Sequence, residues 1–337
     1  MDAGSLQTQE DGSMNQITTG LRLLVAVPCL NEAATIRSLV EDIPRAIPGL
    51  AQVDVLVVDD GSVDETASQA RAGGATVLSH GINRGVGTAF QSAVTHAVVN
   101  RYDFMVNIDG DRQFNPLDIP KLLEPVLAGR ADMVTASRFV DSTFTPDMPR
   151  VKLVGNHLMS YLVSRLVGQR FKDVSCGFRC YSRESLLRLN LHGAFTYTQE
   201  TFLDFCAKNL RIVEVPIGVV YFPDRVSRVA GSIVKYAAST AKIIFRGYRD
   251  YHPLRFFWGI SAFFFVPGLA LGVLFFWHYF TTGKFSGYLF AGFGSAFLIT
   301  MALVFLVLGI VTDMLDRVRS NQDRILYLLK KNGQGIN

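Results

Sequence analysis

Apolar residues fall in short unbroken runs through the first two thirds of the chain, separated by stretches with helical spacing. Leu21–Val27, Val53–Val58, Thr76–Leu78, Phe104–Ile108, Met133–Ala136 and Ile212–Tyr221 read as strands. Because the strands are apolar throughout, they predict a mostly parallel sheet covered on both faces, not one with a wet side. Helices are expected between them, over about 33–46, from Ser62 or Asp64 onward, and over 88–100, 116–128, 152–167 and 198–208. Pro116 suits the first turn of its helix. Strands alternating with helices predict an α/β domain over 21–231, whose strand-end loops meet at one edge of the sheet.

The pattern changes after Leu254. Phe256–Phe280 and Gly287–Val311 contain no Asp, Glu, Lys or Arg, and each exceeds the ~20 apolar residues that cross a bilayer. They predict a transmembrane hairpin over 254–312, with Trp258 and Trp277–Tyr279 at its interfaces. Arg246, Arg249 and Arg255 precede the hairpin, and Arg317, Arg319 and Arg324 follow it. By the positive-inside rule both flanks face the cytoplasm, so a multi-pass protein of the cytoplasmic membrane with a cytoplasmic catalytic domain is expected. Residues 232–253 are amphipathic and basic, and read as juxtamembrane helices on the membrane surface. Residues 1–20 are polar, without the apolar core of a signal peptide, and read as a disordered tail; 313–337 read as a basic cytoplasmic tail.

Composition adds little to this division. Hydrophobic residues are 49% of the 337, the excess lying after Leu254, and a net charge of +4 leaves no nucleic-acid footprint. The four cysteines are scattered, as buried thiols in a reducing compartment would be.

The chemistry begins where the run Phe104–Ile108 stops at Asp109-Gly110-Asp111, with Gln113 beyond. Carboxylates side by side at a strand end repel unless a cation lies between them, and hard oxygen ligands suit Mg²⁺ or Mn²⁺. A plain Asp-Gly turn would carry the same letters. Asp59 and Asp60, at another strand end, can accept from a base N–H and a ribose hydroxyl, or serve a turn and a helix cap. Asn31 can likewise cap a helix. Arg84, before Gly85-Val86-Gly87, stands where a helix start favours a phosphate.

Several motifs in order resemble the family 2 inverting glycosyltransferases: Pro28-Cys29-Leu30-Asn31-Glu32, Val58-Asp59-Asp60-Gly61-Ser62, Asp109-Gly110-Asp111-Arg112-Gln113 and Ser137-Arg138-Phe139. Asp173-Val174-Ser175-Cys176-Gly177-Phe178-Arg179 and the hairpin narrow the resemblance to the polyprenyl-phosphate group, which includes dolichyl-phosphate mannose synthases and undecaprenyl-phosphate glycosyltransferases. The resemblance implies a Rossmann-like GT-A nucleotide-sugar domain and transfer of one sugar from a UDP- or GDP-hexose to a polyprenyl phosphate. It implies Asp109, Asp111 and Gln113 as metal ligands, and Pro28, Asn31, Glu32, Asp59, Asp60, Arg84, Asp109 and Gly110 lining the nucleotide-sugar pocket. Arg138, Arg150, Arg225, Ser227 and Arg228 would hold the acceptor phosphate. Asp111, Asp173 and Arg138 would carry catalysis, Asp173 as a base, by orienting the acceptor or by anchoring an arginine; Gln199 and Glu200 would complete the pocket. The partners implied are a nucleotide sugar, a polyprenyl-phosphate lipid, the bilayer, a second copy of the chain, and a downstream flippase or lipid-linked-sugar transferase. Two other readings share the domain, a processive polysaccharide synthase and a non-catalytic membrane scaffold. The first would carry a Q-x-x-R-W motif, which this sequence lacks, and retention of the metal triplet argues against the second.

Overall fold

A computed structural model of the chain describes residues 20–141, 148, 150–191, 197–220, 245, 247–249 and 252–333. The tail before residue 20, the loop bearing Arg225, Ser227 and Arg228, and most of the juxtamembrane stretch lie outside the described residues.

Seven strands form one sheet in the order β3-β2-β1-β4-β6-β5-β7. They are β1 (Arg22–Cys29), β2 (Gln52–Asp59), β3 (Thr76–Ser79), β4 (Phe104–Asn107), β5 (Met133–Ser137), β6 (Arg179–Ser182) and β7 (Ile212–Pro216). All neighbours pair in parallel except β6, which runs antiparallel to both β4 and β5. That reversed strand is absent from the sequence-based expectation. Its consequence is functional: the loop entering β6, with Asp173 and Gly177, lies at the edge where β1, β2, β4 and β5 end.

Helices α1 (Ile36–Asp42), α2 (Thr66–Ala72), α3 (Val86–Val99), α4 (Ile119–Leu127), α5 (Arg150–Val167), α6 (Arg183–Arg188) and α7 (Thr198–Ala207) cover the two faces. One apolar layer joins β1 and β2 to α1 and α4 through Leu23, Val25, Ile36, Leu39 and Leu122. The other packs Leu24, Phe90, Met105, Tyr181 and Phe202 between the sheet and α3, α5, α6 and α7. Alternate β1 residues thus feed opposite layers, the signature of a strand buried on both sides. Helix α1 stops before the expected boundary because Ile43 precedes Pro44 and takes an extended conformation, with ψ 122°. Pro28 sits inside β1 without disrupting it. β4 pairs with β1 only from Leu23 to Ala26, so the missing N–H faces no ladder partner there.

The last quarter of the chain holds two long helices, α8 (Pro253–Thr282) and α9 (Leu289–Lys331), each long and apolar enough to cross a membrane. Only 11% and 17% of their most apolar windows are buried, which core helices of a soluble domain would not show. Helix α9 runs on through the segment read as a basic tail and docks against α6 and α7. There Tyr327 packs on the second layer and donates to Glu184, and Lys330 Nζ donates to Leu189 O and Asn190 Oδ1.

Candidate active site

The strand ends meet in a cluster of charge. Asp109 is partly buried, and burial together with the Asp111 charge pushes its carboxyl up to about 7, against the pull of Arg179 and Arg138. The Glu32 charge adds to the rise. Gly110 ties this turn to the loop after β1, its carbonyl accepting from Thr35 Oγ1 at 2.9 Å. The Asp111 carboxylate accepts from the Gln113 backbone N–H at 3.1 Å. Among the described residues no group of three or more His, Cys, Asp or Glu could hold a metal. Two adjacent carboxylates still fit Mg²⁺ or Mn²⁺, which keep waters and take further oxygens from a substrate diphosphate instead of needing an all-protein cage.

Arg138 and Asp173 form a two-pronged ion pair, Nε to Oδ2 at 2.6 Å and Nη2 to Oδ1 at 2.8 Å. The Arg138 backbone N–H also donates to Asp173 Oδ2. Both groups are nearly out of water, Asp173 wholly so. Of the three roles open to Asp173, its geometry is that of an anchor, since its oxygens are committed to the guanidinium and to the Ser175 N–H.

Gly177 brings the β6 loop against the Asp109 carboxylate. A Cβ there would stand 2.9 Å from Asp109 Oδ2 and 2.9 Å from the Tyr197 hydroxyl, so any larger residue must push one of them aside. Gly177→Ala is expected to cost about a hundredfold in turnover, the scale of a misplaced catalytic group. Steady-state transfer rates test it, with Gly259→Ala, whose Cβ meets open space, as a neutral control. Arg179 ties the same walls together, donating to Val174 O and Thr198 O while stacking on Phe202. Asn107 Oδ1, Ser137 Oγ and Ser175 Oγ are buried without a hydrogen-bond partner among the described residues, and call for ordered water or substrate hydroxyls.

The nucleotide side is built by the loops after β1 and β2. Asn31, at a φ of 53°, donates its N–H to Ser62 Oγ and accepts from the Val63 N–H, so it links the two loops instead of capping α1. Asp59 accepts from the Ser62 N–H and from Ser79 Oγ, each at 3.0 Å. Asp60 accepts from His80 Nδ1, the Arg84 N–H and the Gly85 N–H, holding the loop that starts α3. Each acid therefore orders a loop as well as keeping at least one lone pair for a ligand. The Arg84 side chain is exposed beside that helix start, Gln199 is buried at the start of α7 and Glu200 follows it. Arg150 opens α5, but its side chain is outside the described residues.

Two residues escaped the sequence reading. His80, buried between Asp60 and Ser92, props the nucleotide loop. Lys152, in the first turn of α5, has its amine pKa lowered by burial and by Arg138, with Asp111 opposing. It therefore adds a second basic group within electrostatic reach of Arg138 and the Asp111 carboxylate. Its place on a long amphipathic helix gave it no distinguishing mark in the sequence.

The description "Glycosyl transferase family 2" matches residues 24–189, the segment that supplies these strand ends. The chain belongs to the family 2 glycosyltransferases, and its fold is GT-A-like. It is 30% identical over 226 residues to polyprenol monophosphomannose synthase of Mycolicibacterium smegmatis, covering 64% of this chain and 84% of that protein. It is also 30% identical to undecaprenyl-phosphate mannosyltransferase of Micrococcus luteus, over 64% of this chain and 90% of that one. Among solved structures it resembles glucosyl-3-phosphoglycerate synthase of Mycobacterium tuberculosis in complex with Mn²⁺ and UDP-glucose. That match has a TM-score of 0.52 and 26% identity, over 67% of this chain and 79% of the other.

Proposed function

We propose that this glycosyltransferase moves a single sugar from a nucleotide sugar to the phosphate of a polyprenyl phosphate, with inversion, at the cytoplasmic face of a membrane. The observation that carries the reading is the convergence of an acidic pair, Asp109 and Asp111, with two cations, Arg138 and Lys152, in a chain ending in two membrane-length helices. The relatives named for polyprenol and undecaprenyl phosphate, and the neighbour crystallised with Mn²⁺ and UDP-glucose, support it.

Asp109 and Asp111 would hold a divalent cation, which supplies neutralisation of the charge that builds on the departing nucleoside diphosphate. The loops held by Asn31, Asp59, Asp60 and His80 receive the nucleoside. A lipid phosphate near neutral pH is already largely ionised, so it needs positioning and charge balance more than proton removal. Arg138, its fork fixed by Asp173, and Lys152 meet that need. Arg150, Arg225, Ser227 and Arg228 are further acceptor contacts in this reading, Gln113 would complete the metal ligands, and Gln199 and Glu200 border the pocket.

The test is a panel of UDP- and GDP-hexoses with Mg²⁺ or Mn²⁺ and undecaprenyl or dolichyl phosphate, read as radiolabelled lipid. Absence of a lipid product with every donor would reject the reading. Lys152→Met is expected to raise KM for the lipid phosphate about tenfold, the loss of about 1.4 kcal/mol of binding, with a smaller change in kcat. An unchanged acceptor KM would remove Lys152 from the site.

A further inference from the structure

Helix α9 leaves the apolar span at Asp313 and continues to Lys331 as one unbroken helix. Its two sides differ. Asp323, Tyr327 and Lys330 face the chain's own domain through Asn190, Glu184 and Leu189, and Arg319 lines the cleft on the same side. About 120° around the helix, at 100° per residue, runs a second stripe: Val311, Leu315, Val318, Gln322, Ile325 and Leu329. Leu315 is 61% exposed, Val318 51% and Ile325 57%. Apolar residues facing outward within the span meet lipid, but those from Leu315 to Leu329 lie past Asp313, the first charged residue of the helix, over about 21 Å. An apolar stripe of that length in water calls for a partner.

We infer that this stripe pairs with the same helix of a second copy as a short parallel coiled coil. The residues recur at alternating spacings of four and three, with Leu315, Gln322 and Leu329 at a positions and Val311, Val318 and Ile325 at d positions. That is a heptad seam, and one interior polar a residue is the device that fixes register and copy number in parallel coils. Two Gln322 amides at the same height satisfy each other, whereas against a foreign apolar surface each would be buried unpaired. The membrane hairpin, on the reading that it spans the bilayer, supplies the remaining condition: two copies leave the same leaflet side by side, parallel and in register. The catalytic domain is clamped to a different side of the helix, so the seam is left clear for a two-fold pair.

Full-length protein in native membranes tests the inference, with Cys206→Ser as background because the other three cysteines are buried. Val318→Cys and Ile325→Cys should give disulfide-linked dimer under mild oxidation at least tenfold above Arg317→Cys, on the far side, and Arg324→Cys, which borders the cleft to the chain's own domain. Equal cross-linking at all four positions, or none at the stripe, overturns the pairing. Val318→Glu with Ile325→Glu should shift the native mass in nanodiscs from dimer to monomer. A monomeric parent, or a dimer that survives both charges, also overturns it. Carbonate extraction separates this inference from the anchoring on which it rests: release of the parent protein into the supernatant removes the shared leaflet and rejects the in-register pair, whatever sugar the enzyme carries.

Discussion

Asp111→Asn is expected to lower sugar transfer at least a hundredfold while leaving the metal-free protein as stable as the parent, or more so. The two effects have opposite signs because Asp111 does two opposed things. Without a cation its charge disfavours ionised Asp109, one of the causes that push that carboxyl up to about 7. Replacing it with a neutral amide removes a repulsion and costs no apolar packing, since the residue is half-exposed. With a cation bound, the same charge becomes a ligand, and its loss takes away electrostatic stabilisation of the leaving diphosphate, worth on the order of 10²–10³ in rate for a single group. Thermal unfolding with and without Mg²⁺ separates the effects. The parent should gain about 2.7 kcal/mol at a cation concentration about a hundred times Kd, and the variant far less. If the variant gains as much as the parent, the cation does not sit on Asp111.

The sheet was legible because its strands are apolar runs stopped by acidic or glycine-bearing turns, and burial on both faces leaves no other pattern for Val25, Val57 or Val106. The strand-end carboxylates were legible for the same reason, since a strand that stops at Asp109 must deliver it to the ligand edge. The reversal of β6 was not. Arg179-Cys180-Tyr181-Ser182 is four residues with a buried arginine at its head, and neither alternation nor an apolar run marks it. Its direction is set by long-range pairing with β4 and β5, which no local window contains. Which of its three roles Asp173 takes, and the place of Lys152, were not legible for the same reason, because their partners Arg138 and Asp111 follow β5 and β4, distant in sequence. Asn31 shows a subtler case: a residue fit to cap a helix instead accepts from Val63, across two strand-end loops. The run of α9 beyond the span, read as a tail, was missed for that reason too, since its docking comes through contacts such as Tyr327 to Glu184, 143 residues apart in sequence.

Asp173→Asn should be the most destabilising single change in the site, by about 3–5 kcal/mol, because it strands the buried Arg138 guanidinium without its counter-charge. A urea titration reads this as a lower midpoint with an unchanged slope. Activity should fall too, but stability and activity need not share a cause, and a double variant separates them. Arg138→Met with Asp173→Leu replaces the ion pair by apolar side chains of similar bulk. Buried pairs exchanged in this way are often neutral or stabilising, so the double variant should recover most of the lost stability, a coupling well beyond additivity. Its transfer rate should not recover, because the phosphate would have lost the fork that meets it. A pH profile then distinguishes anchor from base. If Asp173 only positions Arg138, the residual rate of Asp173→Asn keeps the parent's pH dependence at a lower level. If it took a proton from the acceptor, the acidic limb of the parent profile would be missing in the variant. The bidentate geometry, with both carboxylate oxygens spent on one guanidinium, points to the first result.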